Sequence, residues 1–246
     1  NNISAIPIVN EKGKMVNVLS TSDIALLAFL DLENGRNKTD LSENSPAQEA
    51  ATAIHETVEE IRDDPSISEV ILSGGDPLML RDDNIAELVN SLASITHLRR
   101  LRVHSRLPVT IPSRLTDELL NLLTATRLTP VLVVHINHAQ EIDDELAQQL
   151  KRCSKAGIQL LNQSVLLRGV NDNLAALCDL SEALFEAAVV PYYVHLLDRV
   201  SGAAHFDVND DQAREIAERM RARLPGYLMP RFVREISGQS NKTPIA

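Results

Sequence analysis

The sequence predicts an α/β fold: a partial TIM-like barrel of six strand–helix units, (β/α)6, lacking its first unit and preceded by a β-β-α piece. Three observations carry this expectation. Short apolar runs alternate with stretches of helical period, the pattern of parallel strands joined by crossover helices. The runs are nearly uninterrupted, as strands covered on both faces are. Every run ends in Ser, His, Asn, Gln, Arg or Asp, and parallel folds gather their chemistry at those carboxyl ends. Polar groups at so many strand ends suit a barrel better than an open sheet, whose one crevice uses fewer.

The elements follow in order. Ile6–Val9 and Met15–Leu19 read as strands around the turn Asn10–Lys14, and Ser22-Asp23 can cap a helix through Leu30. The polar run Asp31–Ser45 reads as a linker, so residues 1–42 form one segment and 43–246 the barrel. Helix Ala47–Arg62 then precedes strand Glu69–Leu72, and helix Asn84–Ile95 precedes strand Arg100–Val103. Helix Thr116–Thr126 leads to strand Pro130–Val134, and Asp143–Ala156 to Ile158–Leu161. Helix Leu174–Ala188 leads to Pro191–Val194, and Asp210–Arg223 to Arg231–Ile236.

Of the 246 residues 44% are hydrophobic and 24% charged, ordinary for a globular chain. A net charge of −10 argues against nucleic acid or an anionic membrane as partner. No apolar run reaches the roughly 18 residues of a membrane span, and no signal peptide is visible. Cys153 and Cys178 form neither a disulfide framework nor a metal spacing, so a reduced, cytoplasmic setting is the default.

Ser73-Gly74-Gly75-Asp76-Pro77 stands between a strand and a helix. Its glycines would let backbone N–H groups approach a ligand, and Asp76 could accept from an amine or hydroxyl; a tight turn needing positive φ explains the same pattern. It lacks the GxGxxG spacing of a dinucleotide fingerprint. His135-Ile136-Asn137-His138, with His104 and His195, invites a metal site. Strand alternation sends residues 135 and 138 to opposite faces, however, and no acidic partner stands at a ligand spacing. Hydrogen-bonded, site-lining histidines are the expectation, and no metal ligand is assigned. Lys242 lies beyond the last strand, where its amine could form a Schiff base over the barrel mouth or simply be solvated. Asp198 and Glu235 also end strands, either to bind an ammonium group or as ordinary surface carboxylates.

Six motifs occur in order: SGGDPLM (Ser73–Met79), RVHSRLPVTIPSRLT (Arg102–Thr116), HINHAQEI (His135–Ile142), LLNQSVLLRGVNDN (Leu160–Asn173), PYYVHLLDRVSGAAHF (Pro191–Phe206) and GYLMPRFVREISGQSNKTP (Gly226–Pro244). Together, over about 200 residues, this series resembles the radical S-adenosylmethionine lysine 2,3-aminomutase family. The contexts of His104 and Lys242 look closest to the branch that makes (R)-β-lysine for modifying elongation factor P. The resemblance implies an isomerase acting on L-lysine with S-adenosylmethionine, pyridoxal phosphate and a 4Fe-4S cluster. It implies that Ser73, Gly74, Gly75 and Asp76 hold the methionyl end of S-adenosylmethionine, with Gln163 and Arg106 in the same pocket. Lys242 matches the lysine that carries pyridoxal phosphate. Asp198 matches an aspartate that binds the substrate's ε-ammonium, and Glu235 falls where lysine-specific relatives have a second one. The cofactors would do the difficult chemistry and the protein would position them. A homo-oligomer is one option for the assembly.

Two departures accompany the resemblance. The family's cluster-binding CxxxCxxC has no counterpart here, nor do the arginines around it, which implies a chain that does not by itself perform the radical chemistry. In their place, Ile3–Val9 through Ser20-Thr21-Ser22-Asp23-Ile24 resembles half of a CBS domain, an adenine-nucleotide-sensing module, with Ser20 and Asp23 at its phosphate- and ribose-binding positions. The alternative reading is thus a non-catalytic chimera or scaffold that binds adenine nucleotides.

Overall fold

The computed structural model describes residues 5–9, 15–20, 46–73, 75–198, 202–236 and 242–245. The expected helix Ser22–Leu30, the linker Asp31–Ser45, and the candidate site residues Asp23 and Gly74 lie outside the described residues.

Strands β1 (Ala5–Val9) and β2 (Met15–Ser20) pair as the expected antiparallel hairpin, with Ala5 opposite Ser20. Helix α1 (Pro46–Asp63) then leads to β3 (Glu69–Leu72), and α2 (Asp82–Ala93) to β4 (Arg100–Ser105). After the single turn α3 (Leu107–Thr110), α4 (Asp117–Thr124) leads to β5 (Thr129–Val134) and α5 (Asp144–Lys155) to β6 (Gln159–Leu166). Finally α6 (Leu174–Glu186) leads to β7 (Val190–Leu196), and α7 (Asp210–Arg223) to β8 (Arg231–Arg234) and β9 (Thr243–Pro244). Strands β3 to β9 are hydrogen-bonded neighbours in chain order. The pairs β3–β4, β6–β7 and β7–β8 are parallel, and β8–β9 is antiparallel. This is the α/β topology of a partial TIM-like barrel, as predicted. The chain divides into two compact units, one of residues 1–107, 114–132 and 156–158, the other of 108–113, 133–155 and 159–246.

In the first unit α2 buries Ile85, Val89 and Leu92 at helical spacing. Its carboxyl end is held by Arg127, whose guanidinium donates to the carbonyls of Ala93 at 2.7 Å, Leu98 at 2.5 Å and Ile95. Strand β4 is not apolar on both faces. Leu101, Val103 and Ser105 are buried, while Arg100, Arg102 and His104 line the half-buried face. Glu69 on β3 accounts for the charges, accepting from Arg102 Nε at 3.1 Å and Nη2 at 2.8 Å.

The second unit packs Leu166, Val194, Leu196 and Phe232 of its strands against Leu177, Ile216 and Met220 of α6 and α7. Strand β6 runs well past the expected Leu161, so Asn162, Gln163 and Ser164 lie within it. The reason is a side chain that mimics backbone. Asn162 Oδ1 accepts from Ile136 N at 2.9 Å and its Nδ2 donates to Ile136 O at 3.0 Å, so the buried amide is satisfied inside the sheet.

Candidate functional site

In the first unit one carboxylate ties the loop after β3 to the end of β4. Asp76 Oδ1 accepts from Leu78 N at 3.1 Å and Ser105 Oγ at 2.6 Å, and Oδ2 accepts from Arg106 N at 2.8 Å and Leu107 N at 2.9 Å. A carboxylate offers about four acceptor positions, and protein donors take them all. Asp76 therefore fixes the loop instead of presenting an open acceptor. Gly75 has φ +51°, a conformation glycine adopts without strain, and is exposed beside half-buried Ser73. Arg114 clamps the far side of the loop, donating from Nε to Leu78 O at 2.8 Å and from Nη2 to Leu80 O at 3.0 Å and Asp82 Oδ1 at 2.6 Å. Arg106 presents an exposed side chain at the end of β4. Sequence reasoning picks out Asp76 and Arg106 but passes over Ser105 and Arg114, the residues that hold the loop. A hydroxyl at the end of the strand next to an Asp-bearing loop is the signal that points to Ser105.

In the second unit an amine is caught between strand ends. Strand β9 pairs with β8 so that Thr243 lies opposite Arg234, which brings the preceding Lys242 opposite Glu235. Lys242 Nζ donates to Glu235 Oε1 and stands 3.4 Å from His195 Nε2 and 5.5 Å from the centre of the Tyr193 ring. Tyr193 and His195 are two residues apart on β7 and so share a face, and Gln163 lies opposite Tyr193 in the β6–β7 register. Gln163 Oε1 is buried and has no hydrogen-bond partner among the described residues, an acceptor left open in the row that leads to the amine. Asp198 follows β7 and is exposed. Of the sequence-derived residues, Lys242 and Glu235 are brought together here with His195, expected as a site-lining histidine but given no role, while Tyr193 joins them without having been singled out. Its alternation with His195 on one strand is the sign that could have found it.

The electrostatics follow from this crowding. Burial, then the Lys242 charge, lowers the His195 pKa to about 4. Burial pushes Glu235 upward, but the hydrogen bond and charge of Lys242 outweigh it and leave the carboxyl below its ordinary value. Burial, then the Glu235 charge, raises Asp198.

The other histidine motif serves local structure. His138 Nδ1 accepts from Gln140 N at 3.2 Å, and Glu141 Oε1 accepts from Asn137 N at 2.7 Å and His138 N at 2.9 Å, which caps the turn Ala139–Glu141. Asn137 Oδ1 accepts from Val165 N at 2.9 Å, and buried Asn171 donates to Asn137 O at 2.8 Å. Among the described residues no group of three or more His, Cys, Asp and Glu is placed to hold a metal ion. Cys153 and Cys178 are buried in α5 and α6, and burial pushes the Cys153 thiol up to about 11.

Two bacterial L-lysine 2,3-aminomutases match these segments. That of Escherichia coli (strain K12) is 50% identical over 181 residues, 74% of this chain and 53% of its own length. That of Haemophilus influenzae is 51% identical over 180 residues, 73% of this chain and 53% of its own length. The chain belongs to the lysine 2,3-aminomutase family. It spans about half the length of the curated relatives it matches. No protein-family model matches it. Among solved structures, Streptococcus suis SuiB aligns with a TM-score of 0.55 at 13% identity over 76% of this chain and 43% of that one, a likeness of fold alone. In this member of the aminomutase family, then, the polar strand ends fall into two groups, a braced loop in one unit and a held amine in the other. No helix among the described residues is long and apolar enough to cross a membrane.

Proposed function

We propose that this chain serves lysine 2,3-aminomutase chemistry, the isomerisation of L-lysine to (R)-β-lysine, with Lys242 as the amine that carries pyridoxal phosphate. The observation behind this reading is the Lys242–Glu235–His195 cluster at the carboxyl ends of β7 and β8. The residues present fit such a cofactor. The Lys242 side chain keeps 31% of its surface exposed, so an aldehyde can reach it. When bound, pyridoxal phosphate supplies a conjugated ring that stabilises an electron-deficient centre beside the migrating nitrogen. The chain's own residues do the rest. Glu235 holds the Lys242 amine at the site, and with that amine engaged by a cofactor its carboxylate would be free for the ε-ammonium of lysine. Asp198 offers a second carboxylate there, and the Tyr193 face favours a cation.

The loop of Ser73, Gly74, Gly75 and Asp76 is assigned to S-adenosylmethionine, and Arg106 accompanies the loop. With all four Asp76 acceptor positions used, its part is to shape the loop so that backbone groups of Gly75 face the ligand. The 4Fe-4S cluster does not fit the residues present. Both cysteines are core residues of helices with raised thiol pKa values, and thiolates are what such a cluster binds. No step through a cluster is assigned to this chain. Modification of elongation factor P would be the use of the product, and the two unpaired buried cysteines suit a cytoplasmic setting. The scaffold alternative has the β1–β2 hairpin behind it, with Ser20 closing β2.

Incubation with pyridoxal phosphate tests the reading. The absorbance of the lysine-bound cofactor is expected in the wild-type chain and lost in Lys242→Ala; equal spectra would show that Lys242 is not the carrier.

A further inference from the structure

An ammonium group carries three N–H donors and no lone pair. Lys242 Nζ lies 3.4 Å from His195 Nε2 and bonds Glu235 Oε1. Toward a charged Lys242 the ring nitrogen can therefore only accept, which places the imidazole's own proton on Nδ1. The Tyr193 ring closes a third side, its centre 5.5 Å from Nζ and 5.6 Å, edge-on, from the imidazole. Carboxylate, ring nitrogen and aromatic face meet the amine from three directions. Of the three, Glu235 is the loosest, with 55% of its side chain exposed, whereas His195 is 9% exposed on the middle strand of the β6–β7–β8 set.

We propose that His195 is the positioning residue of Lys242: its neutral imidazole accepts from the amine at Nε2 and fixes where the amine points. The contact stands on geometry. Its consequence for cofactor capture rests on the reading of Lys242 given above. The surroundings keep the imidazole neutral. Burial acts first, and the charge of Lys242, ahead of β9, adds to it; His135, after β5, pushes the same way and Glu235, after β8, pulls against them. The resulting pKa of about 4 leaves His195 uncharged at neutral pH, an acceptor that does not repel the amine it holds.

Two variants separate positioning from packing. Gln brings an amide oxygen close to the place of Nε2 and still accepts, whereas Leu fills the volume without an acceptor. Long-range proton–nitrogen NMR of the whole chain is expected to show the Nδ1–H tautomer at neutral pH. Titration should place the His195 midpoint about one unit or more higher in Lys242→Gln, and lower in Glu235→Gln. Lys242→Met serves if the Gln variant does not fold. The rate of pyridoxal phosphate capture, read by absorbance, should fall about tenfold in His195→Leu, which leaves the amine without the acceptor that orients it. In His195→Gln it should stay within about twofold, since the acceptor is kept. An Nε2–H tautomer, a midpoint that Lys242→Gln leaves in place, or equal capture by both His195 variants overturns the inference. If the NMR results hold while the wild-type chain captures no pyridoxal phosphate, the proposed function fails and the positioning role stands.

Discussion

Asp76 shows how one side chain can matter to a ligand without touching it. Its oxygens collect the donors of Leu78, Ser105, Arg106 and Leu107, so the loop after β3 and the end of β4 share a single anchor. Asn in its place keeps one acceptor oxygen and sets an NH2 group against backbone N–H donors. Asp76→Asn is expected to cost about 1–3 kcal/mol in urea unfolding, the range for leaving buried donors unmet. Calorimetry should show S-adenosylmethionine binding weakened at least about tenfold, on the same energy scale; undiminished binding in a destabilised variant would separate the loop from the ligand. The sequence motif marks this residue correctly as special. It does not reveal that the carboxylate faces inward, because that depends on Ser105, which is distant in the chain and adjacent only after β3 and β4 have paired.

At the scale of elements, Arg127 closes the carboxyl end of α2 by reaching the carbonyls of Ala93, Ile95 and Leu98 at once, where the helix's own backbone donors run out. Arg127→Ala is expected to destabilise the chain by about 1–3 kcal/mol in chemical unfolding. Arg127→Lys should recover little of this, because an ammonium point charge does not fork across three acceptors. Equal stability of Lys and Arg would mean that charge alone matters there. Helical period and turn residues make most elements legible in the sequence, including Glu69–Leu72 and Asp210–Arg223 to the residue. Two features are not legible there. Polar Asn162 and Gln163 read as a strand's end, since only the Ile136 backbone across the sheet shows why they continue it. Strand β9 is two residues long and carries no periodicity at all, although it is what sets Lys242 opposite Glu235.

At the scale of the molecule, the lowered His195 pKa makes stability depend on pH. The ordinary value is 6.5 and the folded value about 4, so between these limits the unfolded chain binds the proton more readily. Stability is complete above pH 6.5 and falls as pH drops toward 4, by about 3 kcal/mol in full. Glu235, lowered in the fold, adds a loss in the same direction as pH falls below its ordinary carboxylate value, whereas raised Asp198 works against it. Denaturant unfolding from pH 7 to 4 should therefore show a flatter profile for His195→Gln than for wild type; parallel profiles would show that His195 is not buried as described. The site is legible in the sequence as a set of residue types, and its division between two units is not, because strand-end polarity says nothing of which ends lie together. The two cysteines lead somewhere practical. Both are buried with thiols held above their ordinary pKa, and protonated buried thiols are poor nucleophiles. A single cysteine introduced at an exposed position such as Lys155 would thus be the one thiol a maleimide dye attacks at neutral pH, giving a singly labelled molecule for fluorescence without first stripping the native cysteines.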